Sequence, residues 1–387
     1  MSTILHALSV ALDFILSVAL LGIGQVAVLL PRRDLPPVIP DKPGFAMVEE
    51  MGLGWNLGNT LEAFNQGATG PAGLESETCW GNPRTSQAML DLVKAAGFST
   101  VRIPVTWSNH FIDDAYTIDP AWMDRVQEVV DYAYGISLYV ILNIHHDEPY
   151  GLMPDPAWET AVTAQFSAIW TQVAEHFQDY GERLLFEALN EPRVMGHLLE
   201  WAGGTYAQRD VVNRLNAAFV RTVRASGGNN ATRWLMLPTH AASVDWVALR
   251  QMCLPEGDDR LIVSIHSYYP WEFASAGFPD AKYYTEKEQK ALYKMLGRIY
   301  DNLISKGIPV YLGEFGAADK ANPEDRIRWA VDYINFAKHF GMRCAWWDNG
   351  LTVTEEFNGE SFALLNRCAL EWYYPELVQA MAEANAE

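Results

Sequence analysis

The chain has 387 residues, and its 28 Lys and Arg against 48 Asp and Glu leave a formal net charge of −20. That balance excludes the basic face a nucleic-acid partner needs, and it disfavours a polyanionic substrate. With 49% hydrophobic and 20% charged residues the chain can bury a core, and its 14 Trp exceed what a core usually needs and suit flat, partly apolar ligands such as sugar rings.

The N-terminus is strongly apolar from Ile4 to Leu30, then carries Arg32, Arg33 and a Pro-rich stretch from Leu35 to Pro43. An export signal has its basic residues before the apolar run, and here they follow it. Three readings stay open: an atypical signal or anchor, a hydrophobic helix packed on the domain, or a mis-called start codon. The first gives an extracellular or cell-surface protein, with membrane contact if the segment is an anchor. The chain therefore divides into a leader and linker over 1–44 and one folded domain over 45–387.

From Met51 onward short apolar runs alternate with amphipathic segments. The predicted strands are Gly52–Leu57, Thr100–Ile103, Leu138–Ile144, Leu184–Ala188, Trp234–Leu237, Leu261–His266, Val310–Gly313 and Cys344–Trp347. Their Val, Ile and Leu content suits strands buried on both faces. Among the helices, Thr85 starts one with Met89, Leu92, Val93 and Ala96 inward and Gly97 as its stop. Asp119-Pro120 caps another, with Met123, Val126, Val130 and Ala133 inward. Asn322-Pro323 opens a third, with Ile327, Ala330, Val331 and Ile334 inward. Eight strands alternating with helices predict an α/β fold, a single-domain (β/α)8 TIM barrel. A doubly wound open sheet is the alternative, but no G-x-G-x-x-G or P-loop follows a strand.

In such a barrel chemistry gathers where the strands end. Asn56 and Asn59, Arg102, His145-His146-Asp147-Glu148, Asn190-Glu191-Pro192, His266-Ser267-Tyr268, Glu314 and Trp346-Trp347-Asp348-Asn349 all fall there. Glu191 and Glu314 form a carboxylate pair suited to glycoside hydrolysis, in which one gives a proton to the leaving oxygen and the other works ionised. Their surroundings are expected to push the two pKa values apart. Arg102 is placed to hold Glu314 ionised or to serve as a structural ion pair. Tyr268 is placed to donate to the nucleophile. His266, two residues away, either orients the acid/base or binds a sugar hydroxyl. Trp347 gives a floor for a pyranose ring, and Trp346 should point the other way into the core. The sugar cleft is expected to include Asn56, Trp80, His146, Trp271 and Asn349.

No metal or other cofactor is expected. Adjacent His145 and His146 face opposite ways on a strand, unlike an H-x-H pair, and no H-E-x-x-H or Cys-rich ligand set is present. Cys79, Cys253, Cys344 and Cys368 read as scattered thiols.

At these residues the chain resembles glycoside hydrolase family 5, the large cellulase family of retaining barrels. The matching segments are 54–63 (GWNLGNTLEA), 80–83 (WGNP), 97–107 (GFSTVRIPVTW), 144–146, 189–193 (LNEPR), 266–268, 313–316 and 346–350. The resemblance implies that Glu191 is the acid/base and Glu314 the nucleophile. Arg102, His145, Asn190, His266, Tyr268 and Trp347 match the family's other active-site positions. The branch it looks most like acts on cellulose, lichenan or xyloglucan, so the implied partner is a β-glucan polysaccharide. A β-mannanase or xylanase of the same fold is the nearest alternative, and a non-catalytic carbohydrate-binding barrel is the alternative of another class.

Overall fold

The computed structural model describes residues 37–65, 72–352 and 359–386. The apolar run from Ile4 to Leu30 lies outside them. Among the described residues no helix is long and apolar enough to cross a membrane.

Eight parallel strands close into a barrel in sequence order. They are β1 (Gly54–Leu57), β2 (Thr100–Ile103), β3 (Tyr139–Asn143), β4 (Leu184–Glu187), β5 (Leu235–Pro238), β6 (Leu261–His266), β7 (Val310–Phe315) and β8 (Arg343–Asp348). The described helices are α1 (Pro43–Met51), α2 (Gln87–Ala95), α3 (Pro120–Gly135), α4 (Glu159–His176), α5 (Tyr206–Ala225), α6 (Trp246–Gln251), α7 (Trp271–Ala274), α8 (Glu286–Asn302), α9 (Pro323–His339) and α10 (Pro375–Ala386). The (β/α)8 expectation is met, with strand ends moved by up to two residues.

Two features of the N-terminal part differ from expectation. The boundary placed at 45 falls inside α1. The Pro-rich segment is also no free tether, because the Val38 amide donates to the Tyr300 hydroxyl at 2.9 Å. Helix α1 closes the bottom of the barrel. Its Met47, Val48 and Met51 pack against Ile141, Leu185, Met236, Ile262, Tyr311 and Ala345.

Those partners are the inward residues of their strands, and the period of two carries the same face upward. Two residues above Ile141, Leu185, Ile262 and Ala345 come Asn143, Glu187, Ser264 and Trp347. The barrel interior thus changes from an apolar plug to a polar layer within one step of the pleat. On the outside, Val140, Leu142, Phe186, Val263 and Leu312 join the helices in one large apolar core.

Helix starts largely follow the sequence. Asp119 caps α3 by accepting from the Ala121 amide at 2.9 Å, with Pro120 in its first turn. Helix α2 begins later than Thr85, with Ser86 at the N-cap position, and the Thr85 amide donates to buried Glu77 at 2.8 Å. In α9 the buried face is Arg326, Trp329, Ala330, Tyr333, Ile334 and Ala337, so Ile327 and Val331 are only half-buried. Large rings turn that face by about one residue. All four cysteines are free thiols.

Candidate active site

Arg102 stands at the centre of the polar layer with no exposed surface. Its Nε donates to Glu187 Oε2 at 2.7 Å, and its Nη1 donates to Glu314 Oε1 at 2.8 Å. Its Nη1 also donates to Asn56 Oδ1 at 3.0 Å, and its Nη2 to Asn190 Oδ1 at 2.8 Å. One planar fork therefore ties β1, β2, β4 and β7 together. Two carboxylates, Glu187 and Glu314, share this one cation, so its charge is more than neutralised.

Glu187 was not singled out from the sequence. It is fully buried, accepts from Asn143 Nδ2 at 2.9 Å, and also accepts from the Ser264 hydroxyl. The available signal was a Glu inside the apolar run Leu184-Leu-Phe-Glu-Ala188, where an ionisable group must find a partner.

The approach of Glu314 depends on a glycine. Strands β6 and β7 pair in register up to Ile265 with Leu312, but His266 then pairs with Glu314. Gly313 is the extra residue of this bulge, and a bulge re-aims the side chain after it. A Cβ at Gly313 would come within 2.9 Å of His266 Nε2 and 3.0 Å of Ser264 Oγ. Only a residue without a side chain fits there. Glu314 so placed also accepts from the Tyr268 hydroxyl at 2.6 Å. Burial, then the Glu314 charge, holds Tyr268 well above the usual phenol range, so it remains a donor.

Glu191 faces Glu314 across His266. His266 Nδ1 lies 3.0 Å from Glu191 Oε1 and 3.6 Å from Glu314 Oε1. Carboxylate oxygens of the two glutamates and this nitrogen all lie within 4.8 Å of one another. Among the described residues this is the group of side chains that could hold a metal ion. The Arg102 guanidinium already occupies one of its carboxylates.

Burial pushes the Glu191 carboxyl up, but the His266 hydrogen bond and charge, with Arg193 and His146, leave it below the ordinary value. The imidazole and the carboxylate are placed to share a proton between them.

His145 stacks flat beside Trp347, with centroids 5.6 Å apart and an interplanar angle of 8°. Asn143 Oδ1 accepts from the Val105 amide at 3.2 Å, which turns its Nδ2 to His145 Nδ1 at 3.1 Å. His145 Nδ1 is then the acceptor and Nε2 carries the proton. Burial holds His145 well below the usual imidazole range, so the ring is neutral. Trp347 is half-buried, and Gly58 lies against it, since a Cβ there would reach its ring at 2.8 Å. Trp346 points outward into the core, as its alternation requires, and donates to the Phe362 carbonyl at 2.9 Å.

The expected cleft residues divide. Trp80 and His146 form an aromatic wall with Phe64, their own centroids 5.7 Å apart. Burial pulls His146 down to about 4. Trp271, at the start of α7, is 52% exposed. Asn56 does not line a cleft: it is fully buried, and its Nδ2 donates to the Gly313 carbonyl at 2.9 Å and the Trp346 carbonyl at 3.1 Å. Asn349 is likewise structural. Its Nδ2 donates to the Glu360 carbonyl at 2.8 Å, and its Oδ1 accepts from the Leu351 and Phe362 amides at 3.1 and 3.2 Å. Both are amides used to satisfy backbone groups where strands open into loops. Asn82 does the same, donating to the carbonyls of Asn59 and Asn349, both at 2.9 Å.

Comparison with known proteins agrees with this architecture. Residues 64–352 match the model of the cellulase family, glycosyl hydrolase family 5. Endoglucanase 1 of Ruminococcus albus is 46% identical over 86% of this chain and 79% of its own length. A broad-specificity endoglucanase from Ruminococcus champanellensis, solved with bound cellotriose, superposes with a TM-score of 0.83 at 44% identity, covering 89% of this chain and 99% of that one. A lichenase from Caldicellulosiruptor sp. F32 gives a TM-score of 0.85 at 38% identity, covering 92% of this chain and 99% of that one.

Proposed function

The chain belongs to glycosyl hydrolase family 5 and is an endo-acting β-glucanase, and we propose that it cleaves by double displacement, with Glu314 as nucleophile and Glu191 as acid/base. The observation that carries this reading is the facing carboxylate pair, one oxygen of each lying within 4.8 Å of the other, with His266 between them. A retaining pair stands about 5–5.5 Å apart, whereas an inverting pair needs about 6.5–9.5 Å to admit water.

Each side chain has a task in this scheme. Glu314, held by Arg102 and Tyr268, attacks the anomeric carbon. Glu191 passes the proton it shares with His266 to the departing oxygen. A covalent glycosyl-enzyme forms, and Glu191 then takes a proton from water as that water releases the sugar. Asn190 has given its oxygen to Arg102, which leaves its amide nitrogen as donor for the 2-hydroxyl. The Nε2 proton of His145 serves a further hydroxyl. Trp347 supplies the floor, and Trp80 and His146 supply a wall.

We take cellulose and mixed-linkage β-glucan as substrates, with xyloglucan as a third. The solved relatives include a lichenase and a xyloglucan-specific endo-β-1,4-glucanase, which supports a glucan over a mannan or xylan. A polymer of this size is met outside the cell, so the reading includes an extracellular or cell-surface location. The test is proton NMR of cellopentaose hydrolysis together with a panel of carboxymethylcellulose, lichenan, xyloglucan, xylan and glucomannan. First appearance of the β-anomer is expected. An α-anomer would overturn double displacement, and a preference for glucomannan or xylan would overturn the substrate.

A further inference from the structure

The acid step asks Glu191 to carry a proton, yet an arginine is anchored on its own backbone. Arg193 Nη1 donates to the Glu191 carbonyl at 3.0 Å. Burial raises the Glu191 carboxyl, and His266, then Arg193, pull it below the ordinary value. A positive charge so placed opposes protonation of Glu191 unless another charge cancels it.

Glu148, in the turn that follows β3, is built to do so. The same Arg193 Nη1 donates to Glu148 Oε1 at 2.6 Å, so one nitrogen joins this carboxylate to the backbone of Glu191. On its other edge the guanidinium donates from Nε to Glu200 Oε1 at 3.0 Å. Glu148 is buried, and it lines one small cavity together with Asn190 and Glu191. Water screens a charge there only weakly, so the charge reaches Glu191. Burial pushes the Glu148 carboxyl up to about 7 against the pull of Arg193, with Asp147 and Glu191 adding to the rise. Glu148 therefore gains its charge as pH rises through about 7. The compensation is largest on the alkaline side, where an acid is hardest to keep protonated. The other titratable groups facing Glu191 are His146, His266, Tyr268 and Glu314. Those facing Arg193 are Glu200, His145 and His240.

We propose that Arg193 and Glu148 are a charge-compensated pair of positioning residues: Arg193 holds the backbone of Glu191, and Glu148 cancels the arginine's charge so that Glu191 can take up the proton it gives to the leaving oxygen. The inference rests on the acid role of Glu191 proposed above.

The test compares the pH profiles of kcat/KM on cellopentaose for the wild type, Glu148→Gln and Arg193→Met. Glu148→Gln keeps the size and the acceptor oxygen but leaves the arginine's charge uncancelled. Its alkaline limb is expected to move down by about one pH unit. Arg193→Met removes the charge that favours an ionised Glu191, and its alkaline limb is expected to move up. The acid limb, which reports Glu314, should stay in place in both. An unmoved alkaline limb in either variant, or shifts of the same sign, overturns the compensation, since a merely structural role lowers the curve without moving it. Each variant is read by itself, so one that fails to fold leaves the other to decide. A dinitrophenyl cellobioside, whose leaving oxygen needs no proton, serves as the second substrate. With it the wild-type alkaline limb is expected to disappear. A limb that persists there overturns the acid role of Glu191 itself, which separates the two failures.

Discussion

The Tyr268 hydroxyl donates to Glu314 Oε2 at 2.6 Å, on the oxygen opposite the one Arg102 holds. Both carboxylate oxygens are thereby fixed before substrate arrives, which orients Glu314, the proposed nucleophile, at no cost during reaction. Tyr268→Phe removes one of these two donors and little volume. It is expected to lower kcat about 100-fold while changing KM little. Steady-state kinetics on cellopentaose check this, and a kcat within twofold of wild type would remove Tyr268 from the nucleophile's support.

Glu191 is expected to matter in proportion to the basicity of the leaving group. Glu191→Ala should cost roughly 10²- to 10⁴-fold on β-glucan. The loss should be smaller with a dinitrophenyl cellobioside, whose leaving oxygen needs no proton. Equal losses on both substrates, measured as kcat/KM, would argue against the acid role.

Arg102 lies between two buried carboxylates, and its loss leaves Glu187 and Glu314 facing each other without a cation. Arg102→Met is therefore expected to destabilise the fold by about 3–5 kcal/mol. Urea unfolding reads this directly. A cost below about 1 kcal/mol would show that the layer tolerates the unpaired charges.

Stability should also respond to pH through Glu62, away from the reaction. Burial pushes this carboxyl up to about 7 from an ordinary 4.5, against the opposing hydrogen bonds of the Thr60 and Asn59 amides. The raised value means that the folded chain binds a proton the unfolded chain has released. Its contribution is fully present below about 4.5 and is lost as pH rises through about 7. Glu62→Gln should therefore gain on the wild type by about 3 kcal/mol between pH 4.5 and 8. Urea midpoints at both pH values test it, and parallel pH curves for the two proteins would refute the assignment.

The sequence by itself determined the barrel and which polar groups stand at its rim. Short continuous apolar runs alternating with amphipathic segments specify strand and helix where strands are buried on both faces, and Asn190, Glu191 and Glu314 stand where such strands end. Trp346 and Trp347 were separable because neighbours on a strand face opposite ways. Alternation alone, however, would have turned Glu314 away from Arg102. The bulge at Gly313 reverses it, and a register shift is a property of two strands together. Tertiary structure likewise decided the fates of Asn56, whose amide is consumed by carbonyls on distant β7 and β8, and of Asn349, whose amide is consumed by backbone groups of the loop that follows it. It alone brought Glu187 to Arg102, and it chose between the two roles open to His266 by setting the imidazole on Glu191. Local pattern fixes which side of an element a residue faces, but which charges meet inside the barrel is set by closure of strands distant in sequence.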